Sequence, residues 1–175
     1  MSKYRNIVIC GDVGTGTSTL SKGLAKKLGW SRVSGGDFFR KWSQENGIPL
    51  WNKLAIPDEI DKKFDREMFD KMQNESSIVF DTHYGGWFSK DLPDVIRIML
   101  TCDKNVTTKR VLDRKSLHKE SPEEIEKRRV QLREKFKKLY SNDNYENPSL
   151  YHLIIDTTHN SVEETLQRAY REFSR

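Results

Sequence analysis

Short apolar runs alternate with longer amphipathic segments along the chain. The runs are rich in Val and Ile and lack a clean alternation of apolar and polar positions, which is typical of strands that are buried on both faces. Four runs are clear and a fifth is weaker. We therefore predict strands at residues 6–10, 77–82, 95–102 and 151–157, with the weaker one at 31–34.

The segments between these runs carry the signals of amphipathic helices. In the first of them, leucine recurs every four residues from Leu20 to Leu28, and Gly29 can cap the C-terminus. Ser121 and Ser161 each stand three residues before a glutamate, which is the capping-box pattern of a helix N-terminus. The predicted helices cover residues 18–29, 36–47, 57–72, 121–140 and 161–173.

The alternation of strands and helices predicts the fold class. Parallel strands joined by right-handed helical crossovers give an α/β fold of three layers, with a five-stranded parallel sheet flanked by helices. No internal repeat or low-complexity linker interrupts the pattern. We therefore expect residues 1–175 to form a single domain.

The composition narrows the class of protein. No apolar stretch approaches the length of a membrane span, and the N-terminal residues lack the apolar core of a signal peptide. Cys10 and Cys102 have no metal-ligand spacing, and we interpret both as buried free thiols. These features predict a cytoplasmic protein that has no membrane partner.

A formal net charge of +5 indicates an anionic partner, either nucleotide phosphate or nucleic acid. The basic residues are concentrated between Lys104 and Lys138 rather than spread evenly. Acidic residues such as Asp113 and Glu120 interrupt this region, and it contains no motif for base stacking. The distribution therefore favours phosphate binding, and we do not expect a nucleic-acid partner.

Residues 11–19, GDVGTGTST, follow the first predicted strand and open the first predicted helix. The segment is similar to the phosphate-binding loop G-x-x-x-x-G-K-[ST], except that Thr17 stands where the lysine is expected. Glycines allow consecutive amides to turn toward a phosphate, and the helix N-terminus adds partial positive charge. A glycine turn without a ligand is the structural alternative. We expect a P-loop NTPase fold in which ATP binds Gly11, Asp12, Val13, Gly14, Thr15, Gly16, Thr17, Ser18 and Thr19.

The segment RVSGGDFFRKWSQENGIPL (32–50) resembles the acceptor-binding segment of nucleoside monophosphate kinases, which reads T/S-x-G-[DE]-x-x-R. Other segments resemble parts of these enzymes in the same order, so the similarity spans almost the whole chain. The family that the chain resembles is the cytidylate kinases, in their archaeal-type branch, where threonine also replaces the loop lysine. The further segments are PDEIDKKFD (57–65), IVFDTHYGGW (78–87), TTKRVLDRKS (107–116), EKRRVQLREKFKKLY (126–140) and LIIDTTHNSVEE (153–164).

This resemblance implies an ATP- and Mg²⁺-dependent transferase that phosphorylates a nucleoside monophosphate, with CMP or dCMP as the expected acceptor. It implies an acceptor-binding region at about 34–75 and a mobile lid at about 114–127. We further expect a monomer, with Mg²⁺ held by Ser18 and Asp81. The acceptor-binding residues that the resemblance implies are Ser34, Gly36, Asp37, Arg40, Asp61, Asp65, Asp81 and His83.

The loop supports catalysis only if another group replaces the charge of the missing lysine. Phosphoryl transfer depends on positioning and on cations that offset the negative charge of the transferring group. By resemblance, arginines at the entry to the lid and on the helix beyond it supply these cations. Lys135 lies on that helix, where the family often has arginine. The catalytic residues implied are Arg110, Arg114, Arg128 and Arg133.

Simpler interpretations exist for several of these residues. Arg40 could be a surface arginine, the aspartates of residues 57–72 could be solvated, and Asp81 could cap a loop. His83 departs from the arginine that is usual in the family, and a structural histidine is as plausible there as a substrate contact. Two further functions therefore stay open: a kinase for another small acceptor, and a non-catalytic P-loop protein that binds nucleotide or nucleic acid.

Overall fold

The fold is built around a sheet of five parallel strands. A computed structural model describes residues 2–113, 119–142 and 144–175. The strands are Asn6–Gly11 (β1), Ser31–Ser34 (β2), Ile78–Asp81 (β3), Val95–Thr101 (β4) and Leu153–Asp156 (β5). Their spatial order is β2-β3-β1-β4-β5, which confirms the predicted five-stranded parallel sheet.

Helices connect the strands and cover the sheet, and the five predicted helices all form. Two short 3₁₀ turns, Lys53–Ala55 and Pro148–Leu150, lie in the connections. The α-helices are Thr17–Leu28 (α1), Gly35–Glu45 (α2), Asp58–Asn74 (α3), Gly85–Phe88 (α4), Lys104–Leu112 (α5), Pro122–Tyr140 (α6) and Val162–Phe173 (α7).

The apolar pattern does not predict α4 or α5. The sequence of α5 is KNVTTKRVL, in which β-branched residues lower the helix propensity and no apolar stripe forms. Its N-terminus is fixed by Asp103, whose carboxylate accepts hydrogen bonds from the amides of Asn105 and Val106. Local capping therefore starts a helix here that hydrophobic periodicity alone does not reveal.

Separate apolar clusters cover the two faces of the sheet. On one face, Leu24 of α1 and Phe173 of α7 pack in a cluster with Ile9 of β1. On the other face, Met68 of α3 packs in a cluster with Phe80 of β3. Burial on both faces explains why the strand sequences lack polar alternation, and it confirms the predicted three-layer arrangement.

The two cysteines are free thiols, as predicted, but they differ in burial. Cys10 is buried, and burial raises the pKa of its thiol to about 12. Cys102 is only half-buried, so the prediction of burial is wrong in degree for this residue. Across the helices of the described residues, none combines the length and the apolar character needed to cross a membrane.

The predicted capping boxes form at the starts of α6 and α7. Ser121 accepts a hydrogen bond from the amide of Glu124, whose carboxylate accepts one from the amide of Ser121. α7 starts with the same reciprocal pair at Ser161. At α2 the cap is Ser34, whose hydroxyl accepts a hydrogen bond from the amide of Asp37. The cap of α2 is therefore Ser34 and not Asp37, which lies in the first turn of the helix.

Lys135 joins α6 to the start of α3 instead of facing a phosphate. Its side chain is 1% exposed, and its Nζ donates a hydrogen bond to the carbonyl oxygen of Ile56. The same Nζ lies 2.8 Å from a carboxylate oxygen of Asp58 and 3.3 Å from one of Asp61. This lysine therefore stabilises the acidic start of α3, and the fold depends on its charge.

Replacing Lys135 with methionine is expected to lower the free energy of unfolding by about 3–5 kcal/mol, because buried Asp61 loses its counter-charge. Lys138→Met is the matched control, since Lys138 lies 2.7 Å from the same Asp58 but is 61% exposed. Solvent screens such a surface pair, so this variant is expected to change stability much less. Urea denaturation of both variants checks the prediction, and equal losses would contradict it.

Candidate active site

The carboxyl ends of the central strands open into one cleft. β1 lies between β3 and β4, and ligands of parallel α/β sheets bind where the connections of neighbouring strands diverge. Residues from the loop after β1 and the start of α1, from α2, from the turn at Lys53, from α3, from the loop after β3 and from α6 line this cleft. Six separate segments of the sequence therefore contribute to one space.

The loop between β1 and α1 has the backbone geometry of a phosphate-binding loop. Gly14 and Gly16 have φ angles of 87° and 102°, a left-handed region that other residues rarely adopt. A Cβ atom at Gly14 would also lie 2.7 Å from the carbonyl oxygen of Thr107. The hydroxyl of Thr157 donates a 2.8 Å hydrogen bond to the carbonyl of Thr15. These constraints fix the shape of the loop without a ligand.

Amide groups at the start of α1 are available to an anion. The first amides of any helix lack an intrahelical acceptor, and Gly16 caps α1 without a side-chain hydrogen bond. The amides of Gly14, Gly16 and Thr17 donate to no acceptor in the described parts of the chain. Together with the helix dipole, these groups form an anion-binding surface. The geometry therefore fits the prediction that residues 11–19 bind phosphate.

Asp81, at the end of β3, links three elements in the floor of the cleft. Its Oδ2 accepts a hydrogen bond from Ser18 Oγ at 2.8 Å and one from Arg32 Nη2 at 2.6 Å. The Asp81 side chain is 8% exposed. Arg32 was not predicted as a site residue, although an arginine within a short strand of a buried sheet was a signal that could have indicated it. The carboxylate thus links α1, β2 and β3. Its role is therefore not limited to capping a loop, which was the simpler interpretation.

Ser18 and Asp81 fit the requirements of Mg²⁺. Hydroxyl and carboxylate oxygens are the hard donors that this ion prefers, and it usually takes only one or two of them from protein and the rest from phosphates and water. Asp81 Oδ1 accepts no hydrogen bond from the described residues. No group of three or more His, Cys, Asp or Glu side chains within those residues could hold a metal ion by itself. The arrangement therefore suits an ion that arrives with a nucleotide.

Asp37 and Arg40 lie at the mouth of the cleft on α2. Arg40 Nη2 donates a 2.5 Å hydrogen bond to Asp37 Oδ1, and Arg32 Nη1 donates a 2.6 Å hydrogen bond to Oδ2. Burial alone would raise the pKa of Asp37, but these two guanidinium groups lower it to about 2. Arg40 lines the cleft together with Gly36, and Ser34 serves as the helix cap. Arg40 is therefore a half-buried guanidinium at the cleft, which favours an anion-binding role over that of a surface arginine.

Asp61 and Asp65 of α3 are buried and line the cleft. Asp65 Oδ2 accepts a 2.6 Å hydrogen bond from the hydroxyl of Tyr140, and burial raises the pKa of Asp65 to about 7. Burial also raises the pKa of Asp61, although Lys135 and Lys53 oppose this effect. The interpretation of these aspartates as solvated helix surface is wrong, because side chains of α6 cover them.

Lys53 lies beside these carboxylates and was not predicted as a site residue. It belongs to a 3₁₀ turn, is 5% exposed and lines the cleft. Its Nζ lies 3.8 Å from the centroid of the Phe39 ring. Burial lowers the pKa of Lys53 to about 8, although Asp61 opposes this effect. No sequence signal distinguished this lysine from exposed ones, because only the packing of the turn against α6 buries it.

Arginines of α6 approach the cleft and the phosphate loop. Arg128 lines the cleft, with a 3.0 Å ion pair to Glu120 and a side chain that is 8% exposed. Arg129, which was not predicted, lies 3.6 Å from the Asp12 carboxylate and donates a 2.7 Å hydrogen bond to Thr107 Oγ1. The helical spacing could have indicated Arg129, since it stands four residues before Arg133 and therefore on the same face of the helix.

Arg133 of α6 lies farther along the same side of the helix. Its Nη2 lies 3.5 Å from the carboxylate of Asp12, and its Nε donates a 3.1 Å hydrogen bond to Glu146. Arg133 does not line the cleft, although Asp12 does. The structure therefore brings Arg133 to the phosphate loop through Asp12.

Arg110 lies in a second cavity, on the other side of the glycine-rich loop. Its Nη2 donates a 2.7 Å hydrogen bond to the carbonyl of Thr157. Thr15, Gly16 and Thr19 also line this cavity. Arg110 is therefore separated from the other predicted arginines. Arg114 and the first five residues of the predicted lid, 114–118, lie outside the described residues.

His83 lines the cleft and is half-buried. Burial lowers the pKa of its imidazole, and the positive charges of Lys53 and Arg128 act in the same direction. The carboxylates of Asp12 and Asp81 oppose the shift. His83 is consequently a neutral imidazole at pH 7, and it supplies hydrogen bonding where an arginine would supply charge.

Comparison with known sequences places the chain in a family. The sequence model of the AAA domain family matches residues 7–131. A cytidylate kinase from Natronomonas pharaonis is 35% identical over 159 residues, which cover 86% of this chain and 80% of that protein. A cytidylate kinase from Ignicoccus hospitalis is 34% identical over 169 residues, which cover 93% of this chain and 96% of that protein.

Solved structures resemble the fold. A gluconokinase from Sinorhizobium meliloti superposes with a TM-score of 0.69 at 13% identity, over 100% of this chain and 94% of that one. A shikimate kinase from Acinetobacter baumannii superposes with a TM-score of 0.61 at 18% identity, over 96% and 93%. At identities this low, the superpositions show the fold alone. They confirm the predicted P-loop kinase architecture.

The two sequence relatives are 34–35% identical over 86–93% of this chain, and the cleft joins the glycine-rich loop after β1 to guanidinium groups of α2 and α6. These two observations agree with the resemblance that the sequence motifs indicated. The chain belongs to the cytidylate kinase family of nucleoside monophosphate kinases.

Proposed function

We propose that this protein transfers the γ-phosphoryl group of ATP to CMP or dCMP. The observation that carries the proposal is the single cleft in which the phosphate loop, the Ser18–Asp81 pair and the cations of α2 and α6 meet. The cytidylate kinases to which the chain is about 35% identical favour a cytidine acceptor.

The donor phosphates are proposed to bind the open amides of Gly14, Gly16 and Thr17. The second cavity, which lies on the other side of the loop, has room for the donor nucleoside beside Arg110 and Thr157. Ser18 Oγ and Asp81 Oδ1 would hold Mg²⁺. When bound, the ion would neutralise charge on the β- and γ-phosphates.

The acceptor phosphate is proposed to bind near Arg40, at the mouth of the same cleft. An oxygen of that phosphate attacks the γ-phosphorus in line, and the bond between the γ-phosphorus and the β,γ-bridging oxygen breaks. ADP leaves with the electron pair of that bond. No proton must be removed from an ionised phosphate, so the protein has to position the two groups and offset their negative charge.

Arg128, Arg129 and Arg133 are proposed to supply the charge that a loop lysine would otherwise provide. Arg129 and Arg133 already contact Asp12 within the phosphate loop, and Arg128 lines the cleft. The predicted lid at 114–127 remains part of the proposal as a cover that excludes water from the transfer. The protein is proposed to act as a monomer and to bind its substrates from aqueous solution.

The alternative functions receive different support. Arg128 and Arg129 are buried in the fold, so they do not form the exposed basic surface that nucleic-acid binding requires. A different small acceptor is favoured by one observation, the neutral His83 in the cleft where the family usually has arginine. We retain this second candidate as a change of acceptor on the same machinery.

An assay of ADP formation with ATP, Mg²⁺ and each nucleoside and deoxynucleoside monophosphate tests the proposed function. CMP and dCMP are expected to give kcat/KM values at least about 10-fold above those of AMP and GMP, because the acceptor cleft is specific for one base class. Turnover of another acceptor with CMP inert would establish the second candidate. No ADP formation with any acceptor would contradict kinase activity.

Substitutions in the loop and on α6 test the source of the positive charge. Thr17→Ala is expected to lower kcat less than about 10-fold, whereas Arg128→Met is expected to lower it about 100-fold, because the arginine offsets charge in the transition state. Arg66→Met, at an exposed position of α3, is the control for loss of one positive charge. Melting temperatures separate loss of folding from loss of rate. Loss of turnover in Thr17→Ala, with Arg128→Met unaffected, would contradict this account.

A further inference from the structure

The end of the cleft between α3, the Lys53–Ala55 turn and α6 has an unusual combination of groups. Two carboxylates and one ammonium group, from Asp61, Asp65 and Lys53, are 3–5% exposed there. Apolar side chains of α3 and α6, together with one from α2 and one from the residues before the turn, line the same cleft. They are Phe39, Leu50, Phe64 and Leu132. Apolar walls with a few buried polar groups are typical of a site for a flat heterocycle, in which the polar groups set the orientation.

Lys53 and Asp65 have hydrogen-bonding capacity that the described residues do not use. Lys53 Nζ donates no hydrogen bond and forms no ion pair with them, and it lies 3.8 Å from the centroid of the Phe39 ring. Asp65 Oδ2 accepts from Tyr140, whereas Oδ1 accepts from none of them. Neither Lys53 Nζ nor Asp65 Oδ1 is completely buried, so both can bind a ligand in the cleft that supplies a donor and an acceptor.

Asp61 differs from these two residues because the fold already balances it. Its Oδ2 lies 3.3 Å from Nζ of buried Lys135, which binds the start of α3. In this part of the cleft, Lys53 and Asp65 are therefore the two residues whose hydrogen-bonding partners a ligand would have to supply.

We propose that Asp65 and Lys53 read the hydrogen-bonding edge of the acceptor base and select cytosine over uracil. Asp65 Oδ1 accepts a hydrogen bond from the exocyclic amine of cytosine. Lys53 Nζ donates to the ring nitrogen N3 or to the O2 carbonyl oxygen. This inference rests on the proposed function, since it assumes a nucleoside monophosphate acceptor.

The chemistry of the two pyrimidines explains the choice. Cytosine presents an N–H donor at C4 and acceptors at N3 and O2, which is the complement of one carboxylate and one ammonium group. Uracil presents a carbonyl oxygen at C4, which faces the carboxylate with like partial charge, and an N–H group at N3. A carboxylate cannot donate to that oxygen, so uracil leaves one buried group without a partner.

Burial raises the pKa of Asp65 to about 7, and the hydrogen bond from Tyr140 opposes this shift by stabilising the carboxylate form that accepts from the base. A second donor, such as the amine of the base, would stabilise the carboxylate form further. Tyr140 is thus a positioning residue, because its hydroxyl holds Oδ2 and leaves Oδ1 for the ligand.

The test measures kcat/KM for CMP and for UMP with saturating ATP and Mg²⁺. The unmodified protein is expected to prefer CMP by at least about 10-fold, and Asp65→Asn is expected to reduce the ratio of the two values at least about 10-fold. The amide of asparagine can donate to the O4 oxygen of uracil and can also accept from the amine of cytosine. Asp70→Asn is the matched control, an exposed aspartate of the same helix, and its ratio should not change.

Each result decides the inference. An unchanged ratio in folded Asp65→Asn, or equal use of CMP and UMP by the unmodified protein, would overturn it. If Asp65→Asn does not fold, Tyr140→Phe replaces it and should lower the ratio about 3-fold or more, because loss of its hydrogen bond to Asp65 favours the protonated carboxyl, which can donate to O4 of uracil; an unchanged ratio would overturn the inference. Lys53→Met should weaken CMP more than UMP; equal weakening would assign Lys53 to the phosphate and overturn its role in base selection. Failure of the unmodified protein to phosphorylate either nucleotide would be a failure of the proposed function itself.

Discussion

The site depends on one carboxylate oxygen, Oδ2 of Asp81. It accepts hydrogen bonds from Ser18 at the start of α1 and from Arg32 of β2. The carboxylate is almost completely buried, so its charge is compensated by Arg32 rather than by water. This interaction fixes the position of α1 relative to β2 and β3. It therefore sets the direction of α1, whose first amides lie open beside the cleft.

A second constraint concerns positive charge. A loop lysine is a flexible point charge, whereas α6 offers guanidinium groups whose positions the fold determines. Arg129 is held by Thr107 and faces Asp12 of the phosphate loop, and Arg128 is paired with Glu120. Preorganised cations do not have to reorient during transfer, which is the condition under which electrostatic stabilisation is most effective. Replacement of the lysine by Thr17 is thus compatible with catalysis in this fold.

The sequence predicted much of the candidate site, and the reasons differ by residue. Asp81 follows a strand directly, so the common edge of parallel strands placed it in the cleft. Arg32 escaped prediction although its place in a short strand was a signal. Lys53 escaped because nothing local distinguishes a basic residue that packing buries from one that water surrounds. Lys135 was expected among the basic residues of the helix beyond the lid. The structure instead places its ammonium group against the acidic start of α3.

The sequence by itself determined the five strands, five of the helices and the phosphate loop. These follow from apolar periodicity, capping residues and glycines, all of which act over a few neighbouring residues. Only the tertiary structure decided which charges are buried and paired. Ion pairs such as Lys135 with Asp61 and the contact of Lys53 with Phe39 join distant segments. These contacts form only when the helices pack against each other. Burial then raises the free-energy cost of each charge and determines which neighbouring group offsets it.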